Sequence, residues 1–332
     1  MARIIATFFQ VLCNNRIKKW SKMDILDKWL TLAQCSGSVN IECRFQGRWH
    51  VQHQPSEQQM QAVAHIATQG SGYVWVDGET EARYVQAGDV LFFPRATAHI
   101  LSHDSSCQNG GDAPNSQTDG VFLLNQTQFD GKSSLHLFCA TFIYDQQAEI
   151  MRSLPDCVML SMPDAILQPI VALLQHEVAQ KQLGSITTVN ALSQVLLLAL
   201  LRQYLLQNEA DAPVSGIINA WRDKRLRAVV QAVSHAPEQT WSVEDMTQIA
   251  HVSRAQLMRL FKAQMQTSPH TFVNAMRLQK GAYLLRQSQD AVLSVALAVG
   301  FQSETHFGKA FKKHYGCTPG QYRKQAIGAI SS

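Results

Sequence analysis

Paired cysteines are missing from this chain. Its seven cysteines (Cys13, Cys35, Cys43, Cys107, Cys139, Cys157 and Cys317) are scattered and odd in number, and none forms the C-x-x-C spacing of a zinc ribbon or a thioredoxin-like site. A disulfide framework and a cysteine-based zinc cluster are therefore not expected, and a reducing cytoplasm is the expected compartment. Long apolar runs are missing too. The best stretch, residues 195–201, is bracketed by Gln194 and Arg202, well short of the ~18 to 20 residues that cross a bilayer, so no membrane segment is expected. Residues 4–13 after Arg3 look faintly like a secretory leader, but Thr7 and Gln10 interrupt them and no small-residue cleavage site follows. Neither a Walker loop, a nucleophile elbow nor a carboxylate pair is visible. Gly70-Ser71-Gly72 reads as a turn or bulge, and no enzyme is expected.

With 332 residues the chain exceeds what one hydrophobic core organises, and 46% apolar residues are ample for two. Charge divides it further. Residues 1–22 carry five Lys/Arg and no acid, 23–221 carry nine against nineteen, and 222–325 carry fifteen against six, giving net charges of +5, −10 and +9 within the overall +4. A basic C-terminal segment joined to an acidic remainder is the balance expected where only the former lies against phosphates. A solvated basic helix face has the same composition, so charge alone does not decide the matter.

Residues 24–32 read as a short amphipathic helix, directly after Met23, which has the look of a true start; residues 1–22 are then a disordered or misannotated extension. From 39 to about 144 the pattern is one of short alternating runs, at 63–66, 72–76, 83–85 and 89–93, with Asp77-Gly78 as a hairpin turn. Residues 104–132, rich in Ser, Asn, Gly, Gln and Asp, read as a long mobile loop with one strand near 121–124. Another strand at 137–142 follows. The period then becomes helical at 169–182 and 189–207, and the second of these presents Val189, Leu192, Val195, Leu196, Ala199 and Leu200 at helical spacing, a face suited to a second copy of the chain or to the protein's own barrel. Asp211, Pro213 and Gly216 mark a linker.

From Leu226 onward the chain reads as helical. Ser242 caps a short helix with Asp245 at the capping-box position, and a turn through His251 leads to Ser253, which caps a second helix with Leu257, Leu260 and Phe261 on its buried side. Arg254, Ala255, Met258, Arg259 and Lys262 face the other way. Fifty residues on the arrangement recurs: a helix at 292–299, Gly300 as the turn, Ser303 as the cap, and Phe307, Ala310 and Phe311 inward, with Glu304, Thr305, Gly308, Lys309 and Lys312 outward. Between them Ser268-Pro269 opens a longer helix that could hold the two units apart. Tight helix pairs presenting small and basic residues suit the major groove, and a rigid spacer suits two successive grooves, roughly 34 Å apart.

The segment from about Leu226 to Lys324 resembles the AraC/XylS regulators. The resemblance rests on Ser253 with Leu257, Arg259 and Phe261; Ser268-Pro269; Arg277; Ala282 with Leu284-Leu285; Gly300-Phe301; Ser303; Phe307 with Phe311-Lys312; and Gly316-x-Thr318-Pro319-x-x-Tyr322-Arg323. It implies a sequence-specific transcription regulator that enters successive major grooves with Ala255, Met258 and Arg259 in the first unit and with Glu304, Thr305, Gly308 and Lys309 in the second; Arg254, Lys262, Ser303 and Lys312, on or beside the same outward faces, complete the expected DNA-binding set. The N-terminal half resembles the cupin-like sensor domain of one branch of these regulators, including the branch that responds to reactive chlorine species. Ala87-Gly88-Asp89-Val90-Leu91-Phe92-Phe93-Pro94 followed by His99 matches the second cupin motif, with Ala96 where glycine is usual; the first motif is degraded to His65.

The expected fold is therefore α+β in two domains: an N-terminal antiparallel, cupin-like β-barrel with helices, and a C-terminal all-α domain with two helix-turn-helix units. The expected boundaries are 1–22 for the extension, 23–150 for the sensor, 151–218 for a helical linker and dimerisation region, and 222–326 for the DNA-binding domain. No motif demands a cofactor. His65, His99 and His103 are candidate ligands should the barrel hold a metal, though histidines satisfied by hydrogen bonds explain them equally. Cys43 and Cys139, at positions resembling the sensor branch, are the candidate redox pair, with Arg44 placed to lower the pKa of the first; a buried, inert Cys139 is the plain alternative. The expected partners are double-stranded DNA, a second copy in a homodimer, RNA polymerase for an activator, and a small effector or oxidant. A cupin metalloenzyme with an accessory DNA-binding domain is the alternative. A DNA-repair methyltransferase fused to such a module would need a zinc-held cysteine cluster that the spacing lacks.

Overall fold

A computed structural model describes residues 23–54, 61–106, 112–127, 133–207 and 215–328. The expected extension at 1–22, Cys13, Cys107 and most of the linker around Asp211 and Pro213 lie outside the described residues. In chain order the first elements are α1 (Ile25–Ala33), β1 (Ser36–Gln46), β2 (His50–His53), β3 (Gln61–Val76), β4 (Arg83–Gln86), β5 (Asp89–Phe93), β6 (His99–Ser102), β7 (Asn115–Asp119), β8 (Phe122–Gln126) and β9 (Ser133–Ile143). Next come α2 (Glu149–Arg152), β10 (Val158–Ser161), α3 (Asp164–Gln180), α4 (Ser185–Leu206), α5 (Ile217–Arg222) and α6 (Lys224–His235). The last are α7 (Val243–Ala250), α8 (Arg254–Met265), α9 (Pro269–Gln287), α10 (Val292–Ala298), α11 (Glu304–Tyr315) and α12 (Pro319–Gly328).

Two compact units form, and they do not follow chain order: one takes Cys35–Tyr144 and Leu154–Pro213, the other the chain through Gln34, Asp145–Ser153 and the chain from Val214 on. The first unit is a curled sheet in the order β10-β5-β3-β9-β1-β8-β7, with β2, β4 and β6 branching from it. Pairing is antiparallel apart from β1 with β8. Alternation along the strands turns Phe45, Val74, Leu91, Phe93, Leu101, Leu135 and Leu137 into one buried cluster together with Trp49.

The runs expected at 63–66 and 72–76 are one strand, β3, bent by a bulge. Its first half pairs with β5 and β9 and its second with β4 and β6. Gly70 has φ +72, and a Cβ there would stand 2.2 Å from the Ser134 carbonyl oxygen, so only glycine lets β3 cross β9 this closely. The stretch read as a long loop contains a hairpin instead. β8 is the expected strand near 121–124, and its partner β7, built of Asn115, Ser116, Gln117 and Thr118, has no apolar alternation by which it could be recognised.

α4 is long and apolar enough, by length and composition, to cross a membrane, but its inward face is committed within the unit. Val189, Leu192, Leu196 and Leu200 are buried, and the Ser193 hydroxyl donates to the Gly37 carbonyl at 2.8 Å. Of the residues expected to offer a dimer face, Val195 remains 51% exposed.

In the helical unit, α1 packs on α6. Trp29 lies edge-on to Trp221, with ring centres 5.7 Å apart, and its indole N–H donates to Ser234 Oγ at 3.3 Å. Asp145 joins the same unit: its backbone N–H donates to the Ala33 carbonyl at 2.8 Å, and its carboxylate accepts from the Tyr322 hydroxyl. Burial pushes the Asp145 carboxyl above its usual range, against the opposing pull of that hydrogen bond.

Candidate functional site

Two helix pairs in the helical unit present matching faces fifty residues apart. In the first, Ser242 and Asp245 cap α7 reciprocally and His251 ends it in the left-handed conformation, with φ 52. Ser253 then caps α8 by accepting from the Gln256 backbone N–H at 3.3 Å. In the second pair Gly300 makes the left-handed turn with φ +88, and Ser303 caps α11 by accepting from the His306 N–H at 3.2 Å. Glycine is required at 300, because a Cβ would stand 2.5 Å from the Glu238 carbonyl oxygen. Leu257, Leu260 and Phe261 are buried in α8, as are Phe307 and Phe311 in α11; Ala310 is half-buried.

The opposite faces carry Ala255, Met258, Arg259 and Lys262 on α8, and Thr305, Lys309 and Lys312 on α11, all exposed, with Gly308 half-buried. Ser303 and Glu304 are exposed at the start of α11. Arg254 is also exposed, and its guanidinium is tied to Glu244 across the turn at 2.7 Å. His306 shares this surface: exposed, one helical step from Lys309, and set edge-on against Phe301 at 5.5 Å. Sequence reasoning missed it, although its place three residues after the capping serine was the available signal. Between the pairs α9 starts at Pro269 under the Ser268 cap, and it buries Phe272, Val273, Met276, Ala282 and Leu285. Arg277 fixes it to the preceding loop by donating to the Pro237 and Gln239 carbonyls, each at 2.7 Å.

The sheet unit brings the two candidate cysteines together. Cys43 Sγ lies 3.7 Å from Cys139 Sγ, and both residues are buried. Cys139 is drawn into a chain of hydrogen bonds, with its sulfur 3.0 Å from His65 Nδ1, His65 Nε2 2.8 Å from His99 Nε2, and His99 Nδ1 2.7 Å from the Thr97 carbonyl. A carbonyl can only accept, so His99 carries its proton on Nδ1 and offers a lone pair at Nε2. His65 must then donate from Nε2, which leaves its Nδ1 to accept from the Cys139 thiol. Burial and the other two rings hold His65 well below its ordinary pKa, burial and His53 bring His99 down to about 3, and burial also lowers His53. The contact with Cys43, followed by burial, pushes the Cys139 thiol well above its usual value.

Two expectations change here. Arg44 does not serve Cys43. Successive residues of a strand point to opposite faces, and Arg44 turns to Glu42 at 2.8 Å, where His136 also donates at 2.8 Å. The polar group facing Cys43 is the Asn125 amide, with its nitrogen 3.8 Å from the sulfur. His103 does not converge with His65 and His99. Its Nδ1 donates to the Trp49 carbonyl at 2.9 Å and its Nε2 meets Asp104 at 3.1 Å. The third imidazole is His53 of β2, stacked on His99 at 4.6 Å; the ligand atoms of His53, His65 and His99 all lie within 4.8 Å of one another. Sequence spacing did not single out His53, because only the β2–β6 pairing sets it opposite His99.

Residues 24–206 match the family model described as Cupin, and residues 246–325 match the one described as Helix-turn-helix domain. The chain is 47% identical over 303 residues to the HTH-type transcriptional regulator MtrA of Neisseria gonorrhoeae, spanning 91% of this chain and 99% of that one. It is 37% identical, with the same coverage, to an HTH-type transcriptional regulator of Haemophilus influenzae. It is also 26% identical over 310 residues to the RCS-specific HTH-type transcriptional activator RclR of Escherichia coli, across 91% of this chain and 98% of that one.

The buried rings make the sheet unit sensitive to acid. His65 and His99 stay neutral when folded, whereas in the unfolded chain they take up protons near pH 6.5. Their contribution to stability is therefore complete above that pH and is lost as pH falls below it, by about 2 kcal/mol at pH 5 for His99, whose folded value is about 3. Urea unfolding at pH 7.5 and pH 5, in wild type and in His99→Gln, is expected to show a smaller pH dependence in the variant; equal dependence would mean that His99 is protonated in the folded state.

Proposed function

The chain belongs to the AraC/XylS-type helix-turn-helix transcriptional regulators with an N-terminal cupin domain; it is a sequence-specific DNA-binding regulator, and we propose how its residues divide that work. The relatives that match it over nearly their whole length are regulators rather than enzymes. α8 reads one major groove with Ala255, Met258 and Arg259, and α11 reads the next with Glu304, Thr305, Gly308 and Lys309. Arg254, Lys262, Ser303 and Lys312 lie along the flanking phosphates and groove edges. The observation that carries this reading is the repeat itself: Arg259 and Lys262 recur as Lys309 and Lys312 on exposed faces with the same caps and the same buried register. Ala255 and Met258 offer apolar contacts suited to thymine methyl groups. For an activator the further partner is RNA polymerase.

Arg259→Ala is expected to weaken the operator complex by about 1 to 3 kcal/mol and to relax preference at one base position. Lys312→Ala should weaken all duplexes alike and flatten the salt dependence by about one phosphate contact. Binding curves for operator and random duplex over a salt series separate the two roles, and identical behaviour of the two variants would sink the assignment.

We also propose a homodimer through the sheet unit's helices. Val195 and Leu206 lie on one side of α4 and are 51% and 75% exposed, an apolar strip left open to solvent. Light scattering at micromolar concentration is expected to give twice the chain mass, and one chain mass for Val195→Glu/Leu206→Glu; a monomeric wild type, with and without operator, would refute the dimer.

The input we propose is an oxidant acting on Cys43 and Cys139. Hypochlorous acid would take both thiols to a disulfide, with chloride, a proton and water as the other products. The sulfurs stand 3.7 Å apart, so about 1.7 Å of approach closes the bond. Cys43 pairs across the ladder with Leu137, which makes Cys139 its diagonal neighbour. Diagonal Cα atoms in a sheet lie about 7 to 8 Å apart, beyond ordinary disulfide reach, so oxidation must shift β1 against β9. A strand shift of that kind gives the differential effect on two states that a switch requires. The Escherichia coli relative named as RCS-specific agrees with this input. Cys43→Ser and Cys139→Ser are expected to bind operator when reduced and to lose the response to hypochlorous acid or peroxide in a reporter assay. A double variant that responds as the parent does would leave a small-molecule effector as the signal.

A further inference from the structure

Asp145–Ser153, on the way from β9 to β10, belongs to the helical unit, and its hydrogen bonds reach both helix pairs. At one end the Asp145 carboxylate accepts the Tyr322 hydroxyl of α12, and the Tyr322 ring packs on Phe311 and Tyr315 of α11, with ring centres 5.3 and 5.0 Å away. In the middle the Gln147 carbonyl accepts from Gln279 Nε2 of α9 at 2.5 Å, while Ile150 and Met151 of α2 bury their side chains. At the other end Ser153 Oγ accepts from the Ile217 N–H at 2.9 Å, and the neighbouring Gly216 N–H donates to the Gln264 carbonyl in the last turn of α8 at 2.8 Å. That end fits closely, since a Cβ on Gly216 would stand 2.3 Å from Ser153 Oγ.

These contacts are polar although they are out of water. Asp145, Ser153 and Gln279 are all buried, where apolar residues of the same size would fill the space with no desolvation penalty. Directional hydrogen bonds instead admit one arrangement of the segment against α9, α12 and the start of α5. Each helix pair already has its own apolar packing, through Leu257 and Phe261 of α8 and through Phe307 and Phe311 of α11. What the polar contacts add is a fixed relation between the pairs, because α8 is reached from one end of the segment and α11 from the other. Helix α9 links the pairs along the chain; the segment links them a second time, from a stretch that precedes both in sequence.

We propose that Asp145–Ser153 is a brace that sets the separation of the two reading helices, with Asp145, Gln147 and Ser153 as positioning residues for the joint reading of successive grooves. The proposal rests on α8 and α11 each reading one groove. Two linked readers gain roughly 10² or more in affinity over one reader, but only when their spacing matches that of the sites, and a slack link forfeits the gain. The brace therefore acts on the intact operator and leaves the reading of each groove by itself unchanged.

The test uses the reduced full-length protein and an operator selected with it from a random duplex library, its two groove segments mapped by footprinting. Three probes are compared: the intact operator, the operator with either segment scrambled, and the operator lengthened between the segments by five base pairs, about half a helical turn. Wild type is expected to bind the intact operator about a hundredfold more tightly than the lengthened one. Tyr322→Phe and Ser153→Ala should each lose about tenfold on the intact operator and bind the other two probes as wild type does, so that the preference for native spacing shrinks. They release opposite ends of the brace, so one that failed to fold by circular dichroism would leave the other to decide. Trp241→Phe, which removes an indole hydrogen bond to the Ala236 carbonyl outside the brace, should keep the full preference. A folded brace variant that retains that preference, or one that weakens on all three probes alike as a merely destabilised unit would, overturns the brace. A wild type indifferent to the inserted base pairs overturns the two-groove reading and the brace with it.

Discussion

Strand β9 is hydrogen-bonded to β1 on one side and to β3 on the other, and that double pairing puts Cys139 between Cys43 and His65. In register, Cys139 faces Ile41 across one ladder and His65 across the other. The period of two along each strand then turns all three side chains to the same interior face, among Phe45, Leu91, Phe93 and Leu137. Glu42, Arg44 and His136 follow from the same arithmetic on the opposite face, where they satisfy one another. A one-residue slip of β1 would exchange the sets and put a carboxylate where the thiol now lies. The thiol pair, its hydrogen-bonded histidines and its separation from Arg44 are therefore one consequence of strand register.

The turn from β5 to β6 carries a related constraint. Ala96, where the motif usually has glycine, adopts φ +47 with its N–H bonded to the Phe93 carbonyl. A non-glycine residue in this region costs about 1 to 2 kcal/mol, and here the cost is met at the bend that delivers His99 to its partners.

The helical unit depends on caps and on borrowed segments. Ser242, Ser253, Ser268 and Ser303 each satisfy an orphan backbone N–H at a helix start, and the tight turns through His251 and Gly300 set the angle of each following helix. Yet the hydrophobic surface of α6 is completed by Trp29 of α1. The aromatic cluster of Phe311, Tyr315 and Tyr322 closes over Asp145, whose carboxylate takes the Tyr322 hydroxyl. Lys28, fully buried in this unit, is held by burial, then by Lys280, at about 8, well below an ordinary lysine. A unit that carries a buried carboxylate and a buried lysine from distant parts of the chain is not a free-standing copy of its own contiguous sequence.

Much of this was legible from residue order. Capping serines, the fifty-residue repeat, the apolar positions of α8 and α11 and the exposed Arg259, Lys262, Lys309 and Lys312 follow from local rules, since a helix places residues by a fixed angle whatever surrounds it. The apolar runs of β5 and β9 were also readable as strands, both of them buried on both faces. Polar β7 was not, because its side chains face away from any core and leave no period to detect. Nor was the continuity of β3, where the same glycines serve a turn or a bulge until the crossing strand is known. Residue order determined the helices, the apolar strands and which of their faces are buried. The partners Cys43–Cys139 and His53–His65–His99, the turning of Arg44 to Glu42 and the claim of the helical unit on α1 and Asp145 were decided by tertiary structure alone, because each joins strands or helices distant in the chain and depends on register that no local period encodes.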